Sequence, residues 1–223
     1  INMNLNSFSK NGYIIIKKAV SKKNIISLQN LVLKSLLKKN SKKNKYNEFC
    51  KYILQNNNSE YLISNKISNA LEKVDLLEKV FHEKKIMKLF INILGKDLSH
   101  VVGNHFVLNT PDKKTSKENY LFKDWHQEIW SGASISTLQF WTPIFQKNGK
   151  LGQIEFIKNS HKWGHIPHQN RKPINLPKNF KKINTNIDIG DVVIFSSTLV
   201  HRSIVAKYPR LSLVCWIKNY KYK

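Results

Sequence analysis

The chain has 223 residues, 41% hydrophobic and 11% aromatic, with a formal net charge of +24. That is enough apolar material for a substantial core, but no apolar run approaches the roughly 18 residues that cross a bilayer. Two cysteines, Cys50 and Cys215, supply neither a disulfide framework nor a zinc knuckle. The charge is of the wrong kind for nucleic acid: among 38 basic residues only Arg171, Arg202 and Arg210 are arginine, the residue that grips phosphates and bases bidentately. Lysine, asparagine and isoleucine together read as compositional bias over a solvated surface, so neither membrane insertion nor nucleic-acid binding is expected. The opening residues lack the long apolar run and cleavage site of a secretory signal, and a cytoplasmic setting is expected. Where lysine so readily replaces arginine, a retained arginine marks a position that needs the planar fork, and Arg210 is the one to watch.

In chain order, residues 21–38 open at a candidate N-cap, Ser21, and set Ile25, Leu28, Leu31, Val32 and Leu36 on one helical face. The polar stretch "KKNSKKNKYNE" that follows is expected to be a loop. A second helix is predicted over 66–81, with Ile67, Ala70, Leu71, Val74, Leu77 and Phe81 on its apolar side. A shorter one, "KIMKLFINIL", stops at Gly95. From about residue 99 the texture changes to short runs rich in β-branched and aromatic residues: "SHVVGNHFVLN", "SISTLQFWTPIF", "GQIEFIKN", "DVVIFSSTLVH" and "LSLVCWIKN". Turn signals separate them. The pattern predicts a sandwich or barrel rather than alternating βαβ units, in one domain over 1–223 whose first 98 residues are largely helical.

Within "DWHQEIW", residues two apart on an extended strand share a face, so His126 and Glu128 project together while Gln127 points away. An imidazole and a carboxylate are two ligands of the 2-His-1-carboxylate set that leaves open positions on non-heme iron. Alone, the H-x-E pattern more often marks a histidine salt-bridged to a neighbouring acid. Downstream, "GDVVIFSSTLVHRSIVAKYPR" combines a turn, an apolar strand ending at His201, then Ser203 and Arg210. Between the two lies "NGKLGQIEFIKNSHKWG".

Taken in this order, these three segments, with "FSKNGYIIIKKAVSKKNIISL" ahead of them, resemble the phytanoyl-CoA dioxygenase-like family of Fe(II)/2-oxoglutarate oxygenases. The resemblance implies a mainly β fold with flanking α: a double-stranded β-helix (jelly-roll, cupin-like) core with N-terminal helices packed on the barrel, residues 99–223 forming the core. It implies His126, Glu128 and His201 as metal ligands and catalytic centre. Arg210 and Ser203 would bind the far carboxylate of 2-oxoglutarate, with Ser212 a further candidate. Thr137, Gln139 and Trp141 on one strand, and Asn104 and His105 on another, would line that pocket. Fe(II), 2-oxoglutarate and O2 would be the cofactor and cosubstrates. The implied reaction is hydroxylation of a small molecule in a biosynthetic or tailoring pathway, with release of succinate and CO2, by a monomer or homodimer; the lysine-rich surface would suit an anionic or carrier-tethered substrate. The family usually has aspartate where Glu128 stands, and the longer carboxylate must fold back to reach the same position.

Two other readings stay open at the level of sequence. One is a catalytically silent jelly roll that binds a ligand through a drifted site; the other is a basic surface binder. His161, His165 and His168 form a second cluster, expected at the barrel rim, with His161 serving a turn and the other two near substrate.

Overall fold

A computed structural model describes residues 5–38, 44–56, 59–71, 75–111, 124–147 and 153–221, with the backbone alone at 100–105. Among the described residues, six α-helices precede most of the strands: α1 (Leu5–Asn11), α2 (Lys22–Leu37), α3 (Lys45–Gln55), α4 (Glu60–Leu71), α5 (Leu76–Phe81) and α6 (Lys84–Leu94). Strand β1 (Tyr13–Ile16) lies between the first two. The remainder is strand: β2 (Leu98–Asn109), β3 (Leu138–Phe145), β4 (Ile154–Ile157), β5 (His168–Gln169), β6 (Lys172–Pro173), β7 (Lys182–Asn184), β8 (Val192–Ser196), β9 (His201–Ser203) and β10 (Arg210–Asn219). They form an antiparallel five-stranded sheet in the order β1-β8-β3-β10-β2, a three-stranded sheet in the order β7-β4-β9, and the β5-β6 hairpin.

The two faces of the large sheet separate by the period of two. Leu211, Leu213, Cys215 and Ile217 of β10, and Val192 and Ile194 of β8, join the core made with α2–α6. Their neighbours face the other way: Trp141, Val193, Phe195 and Val214 pack with Ile154 and Phe156 of the small sheet. The same alternation puts Arg210, Ser212, Val214 and Trp216 on the inward face of β10, so the core-forming pattern also aims the polar residues at the space between the sheets.

Helix α2 begins as expected: the Ser21 hydroxyl accepts from the Asn24 N–H, and Ile25, Leu28, Val32 and Leu36 are buried, joined by Leu33 rather than Leu31. Helix α6 ends at Gly95, whose φ of 87° suits glycine. Two expectations change. The loop over 38–48 gives way to α3 from Lys45, capped by the Asn44 side chain; two buried residues one turn apart, Phe49 and Ile53, are too sparse a pattern to see through the lysines. Phe49 stacks on Phe145 at 4.5 Å between ring centroids. The single helix over 66–81 is instead two, α4 and α5; Val74 lies outside the described residues and Ala70 is exposed. Separating the helices lets α5 bury Leu76, Leu77, Val80 and Phe81 together.

Strand β2 is an edge strand, and α4 covers it with a ladder of side-chain acceptors. Glu60, Ser64 and Ser68, one turn apart, accept from the N–H groups of Thr110, Leu108 and Phe106 at 2.6, 3.2 and 3.2 Å. Four residues of helix advance about 6.0 Å and two of strand about 6.7 Å, so the two periods run in step. An exposed edge would otherwise be a template for aggregation.

Candidate metal centre

The apolar strand expected to run to His201 breaks first. Strand β8 ends at Ser196, a turn follows, and β9 resumes in the other sheet. Hydroxyls drive the crossing: Ser197 Oγ donates to Ser134 O at 2.8 Å, Thr198 Oγ1 donates to His161 O at 3.2 Å, and the Ser197 N–H donates to Thr137 O at 3.1 Å. The turn then returns the favour to the site, since Ser197 O accepts the Glu128 N–H at 3.0 Å. His126 and His201 exchange both backbone bonds, each 3.0 Å, in an isolated antiparallel bridge. Directly opposed residues project to the same face, which explains the 4.1 Å between the imidazole centroids.

The chain stays extended through Gln127 (φ −116°, ψ 144°), and Glu128 opens a 3-10 turn over Glu128–Ser131. The expected strand end is therefore short, but the consequence holds: His126 and Glu128 point inward together. Gln127 points away and is fully used. Its amide donates to Gly164 O (2.8 Å) and Thr198 O (2.5 Å) and accepts from the Ile166 N–H (3.0 Å).

Glu128 Oε1 lies 3.1 Å from His201 Nε2 and 3.8 Å from His126 Nε2. The shorter separation matches the spacing of donors on adjacent positions of one ion, about 3 Å for bonds of about 2.1 Å at right angles, and the three donor atoms all lie within 4.8 Å of one another. Both rings face a carbonyl with their other nitrogen: His126 Nδ1 donates to Asp124 O at 2.8 Å and His201 Nδ1 to Leu199 O at 2.9 Å. That arrangement fixes the tautomer that presents the Nε2 lone pair, as backbone carbonyls do behind metal-binding histidines. Burial, and then the neighbouring His201, push the His126 pKa down to about 4. Burial would raise Glu128, but the hydrogen bond and charge of His201, with His126 and Trp216, outweigh it and hold the carboxylate below its usual range. A neutral imidazole and an ionised carboxylate are the ligand forms. His201 Nε2 and Oε1 close on each other through either a proton or a cation. Among the described residues this is the only group of three or more His, Cys, Asp or Glu side chains that could share a metal ion.

Arg210 is 1% exposed. Its Nη2 donates to Ser203 Oγ at 3.1 Å, and its guanidinium carbon stands 5.2 Å from the Trp141 ring centroid. Its Nε and Nη1, together with Ser212 Oγ and Gln139 Oε1, are buried with no hydrogen-bond partner among the described residues. Burial lowers its pKa to about 9, countered by the charge of Glu60, so it stays a cation. A desolvated guanidinium with two idle donors is tolerated when an anion completes it, and a fork of parallel N–H groups is shaped for a carboxylate.

The structure thus brings together His126, Glu128 and His201, and beside them Arg210, Ser203, Ser212, Gln139 and Trp141. Thr137 is tied into a turn through Ser134. Asn104 and His105 lie on β2, their side chains outside the described residues. Arg202 faces outward, bonded to Glu155 at 2.7 Å under Trp125. His161 lies in a 3-10 turn over Ser160–Trp163, but its ring reaches away from that turn to the N-terminal segment: Nε2 bonds Ser9 O at 3.0 Å, and Gly12 packs so close that a Cβ there would meet the ring at 2.6 Å. His168 stacks on Trp130 with His165 edge-on, and among the described residues neither belongs to a group of three or more side chains that could share a metal ion. Sequence reading missed Trp216, whose Nε1 donates to Glu128 Oε2 at 2.9 Å. The signal was available: 210, 212, 214 and 216 share one face of a strand.

Several solved structures resemble this fold at low identity. A non-heme monooxygenase, ThoJ in its apo form, matches with a TM-score of 0.65 at 12% identity, covering 96% of this chain and 76% of that one. The epimerase SnoN, in complex with Fe3+, alpha-ketoglutarate and nogalamycin RO, matches at 0.63 and 12%, covering 96% and 81%. EctD from S. alaskensis with 2-oxoglutarate and 5-hydroxyectoine matches at 0.60 and 14%, covering 97% and 75%. Among curated proteins none matches the sequence. Residues 8–204, a span holding both histidines and Glu128, match the phytanoyl-CoA dioxygenase (PhyH) family, and the chain belongs to that family.

Proposed function

We propose that this chain is an Fe(II)- and 2-oxoglutarate-dependent dioxygenase, with a double-stranded β-helix core, that hydroxylates a small-molecule substrate and releases succinate and CO2. His126, Glu128 and His201 hold the ferrous ion. Arg210 and Ser203 take the far carboxylate of 2-oxoglutarate, with Ser212, Gln139 and Trp141 lining the remainder. The observation that carries this reading is a pair of tautomer-fixed imidazoles facing one buried carboxylate, next to a buried guanidinium with idle donors. The ligands in the SnoN and EctD structures, iron or 2-oxoglutarate with a small organic molecule, support it.

Bound iron supplies the oxygen activation and C–H cleavage that no side chain can perform. The residues of this chain do the rest. The two histidines and Glu128 would offer the ion three donors. The Arg210 fork orients the cosubstrate from its far end, and the apolar walls of Phe156, Phe195 and Trp141 keep water from the site.

The test is succinate formation from 2-oxoglutarate by Fe(II)-loaded protein, with His126→Ala and His201→Ala as variants that lose iron while remaining folded. Succinate from the parent and none from the variants is expected. Folded, iron-loaded protein that yields no succinate identifies the silent binding protein instead.

A further inference from the structure

We propose that Trp216 is the positioning residue that fits a glutamate, rather than the family's usual aspartate, to this metal centre, by holding Glu128 as a ligand through one oxygen only. The inference rests on the iron reading above, because it concerns how the carboxylate meets an ion placed among the three donors. It does not come from the family match, which ends at residue 204 and leaves out β10 altogether.

A glutamate carries three rotatable bonds and two equivalent oxygens. Free in a site, it can swing out of reach or chelate with both oxygens, and chelation uses an extra position on the ion. Here the two oxygens have separate tasks. Oε1 faces the imidazoles at 3.1 and 3.8 Å, while Oε2 accepts the Trp216 indole N–H at 2.9 Å. The indole nitrogen is a donor only, and a donor bonded to a carboxylate makes the stronger, charge-assisted kind of bond. It therefore keeps Oε2 turned away from the histidines.

Trp216 can do this because its backbone is held on both sides. It pairs with Gln139 on β3 and with Val101 on β2, and the residues flanking it, Cys215 and Ile217, are packed in the helix-side core. The indole reaches across the gap between the sheets to an oxygen that the additional methylene of glutamate delivers. An aspartate at 128 stops short of it. Three protein donors, each through one atom, would leave three positions of a six-coordinate ion free; a two-oxygen glutamate would leave two.

A double-mutant cycle read by metal binding, without turnover, tests this. Co(II) affinity is measured for the parent, Trp216→Phe, Glu128→Asp and the double variant, and metal-bound waters are counted by proton relaxation with Mn(II). Outer-shell partners of metal ligands are worth about 10–100-fold in affinity. Trp216→Phe should lower Co(II) affinity by that much and change the count of bound waters, downward where both oxygens chelate and upward where the carboxylate swings away. In the Glu128→Asp background the same change should alter affinity by less than about threefold. Equal losses in both backgrounds, or an unchanged water count, overturn the proposal and leave Trp216 as packing. A parent that binds neither metal overturns the iron reading itself. If Trp216→Phe does not fold, the indole N–H resonance of Trp216 in the Zn(II)-loaded parent decides: protection from exchange that persists on loading supports the bond, and its loss on loading refutes it.

Discussion

His201 and Ser203 stand two residues apart on the same face of β9 and tie together the two halves of the site. The first meets Glu128 at 3.1 Å and the second meets the Arg210 guanidinium at 3.1 Å. Two residues of strand span about 6.7 Å, so a compact dicarboxylate can lie along β9 with one end at the metal donors and the other at Arg210.

Arg210→Ala is expected to act on 2-oxoglutarate binding and not on iron. Losing one partner of a buried, hydrogen-bonded charge pair costs about 2–5 kcal/mol, which raises the 2-oxoglutarate KM by about 30-fold to a few thousand-fold. Arg210→Lys keeps the charge but not the fork and should fall between the two. Iron stoichiometry should stay at the parent value. An unchanged KM in the succinate assay refutes the assignment.

The pH prediction follows from His126. Its folded pKa lies near 4, below the ordinary 6.5, because burial and His201 disfavour its charge. Between those values the unfolded chain takes up a proton that the folded protein refuses. The contribution to stability is complete above about pH 6.5 and is lost as pH falls toward 4, on the order of 3 kcal/mol for the metal-free protein. Urea unfolding at pH 7, 5.5 and 4.5 should show stability falling with acid, and His126→Gln should flatten that slope by one proton. Parallel slopes would show that the site does not depress this group.

Much of the site was legible because its residues are bound to short-range patterns. H-x-E places two proposed ligands on one face of any extended segment, and the arginine at 210 stood out against a lysine background. The alternation of β10, needed for its core contacts, puts Ser212, Val214 and Trp216 on the Arg210 face, but of these only Ser212 was picked out from the sequence. Other features depend on long-range pairing that local pattern does not carry. The break between Ser196 and His201 moves the chain to a second sheet through two hydroxyls bonded to Ser134 and His161 and a backbone N–H bonded to Thr137, residues 37–63 positions away. The bond from Trp216 to Glu128 spans 88 residues. Helix α3 was hidden for a different reason: its surface is so polar that only Phe49 and Ile53 report its buried side.

The ladder between α4 and β2 makes a stability prediction independent of chemistry. Ser64→Ala leaves the Leu108 N–H, buried at the sheet edge, without its acceptor. An unsatisfied buried donor costs about 1–3 kcal/mol, measurable by urea denaturation. Ser64→Thr retains the hydroxyl and should restore most of the loss. If alanine and threonine variants unfold at the same urea concentration as the parent, the ladder carries no energy.

Gln127 gives the sharpest test of how the site is held. It sits between two proposed ligands, touches neither, and uses both amide donors and its carbonyl on backbone groups from two other segments. Gln127→Leu fills similar space but strands Gly164 O, Thr198 O and the Ile166 N–H. At about 1–3 kcal/mol for each buried group left unpaired, the fold should lose at least about 2 kcal/mol. Because the peptide units of Gln127 carry His126 on one side and Glu128 on the other, Co(II) affinity should fall more than about tenfold, in the range expected of outer-shell residues. Gln127→Glu should be worse than Gln127→Leu, since it sets a carboxylate oxygen against two carbonyls that need donors. A Gln127→Leu protein that loses stability yet binds Co(II) as tightly as the parent would show that the ligand geometry is held from β9 and β10 alone.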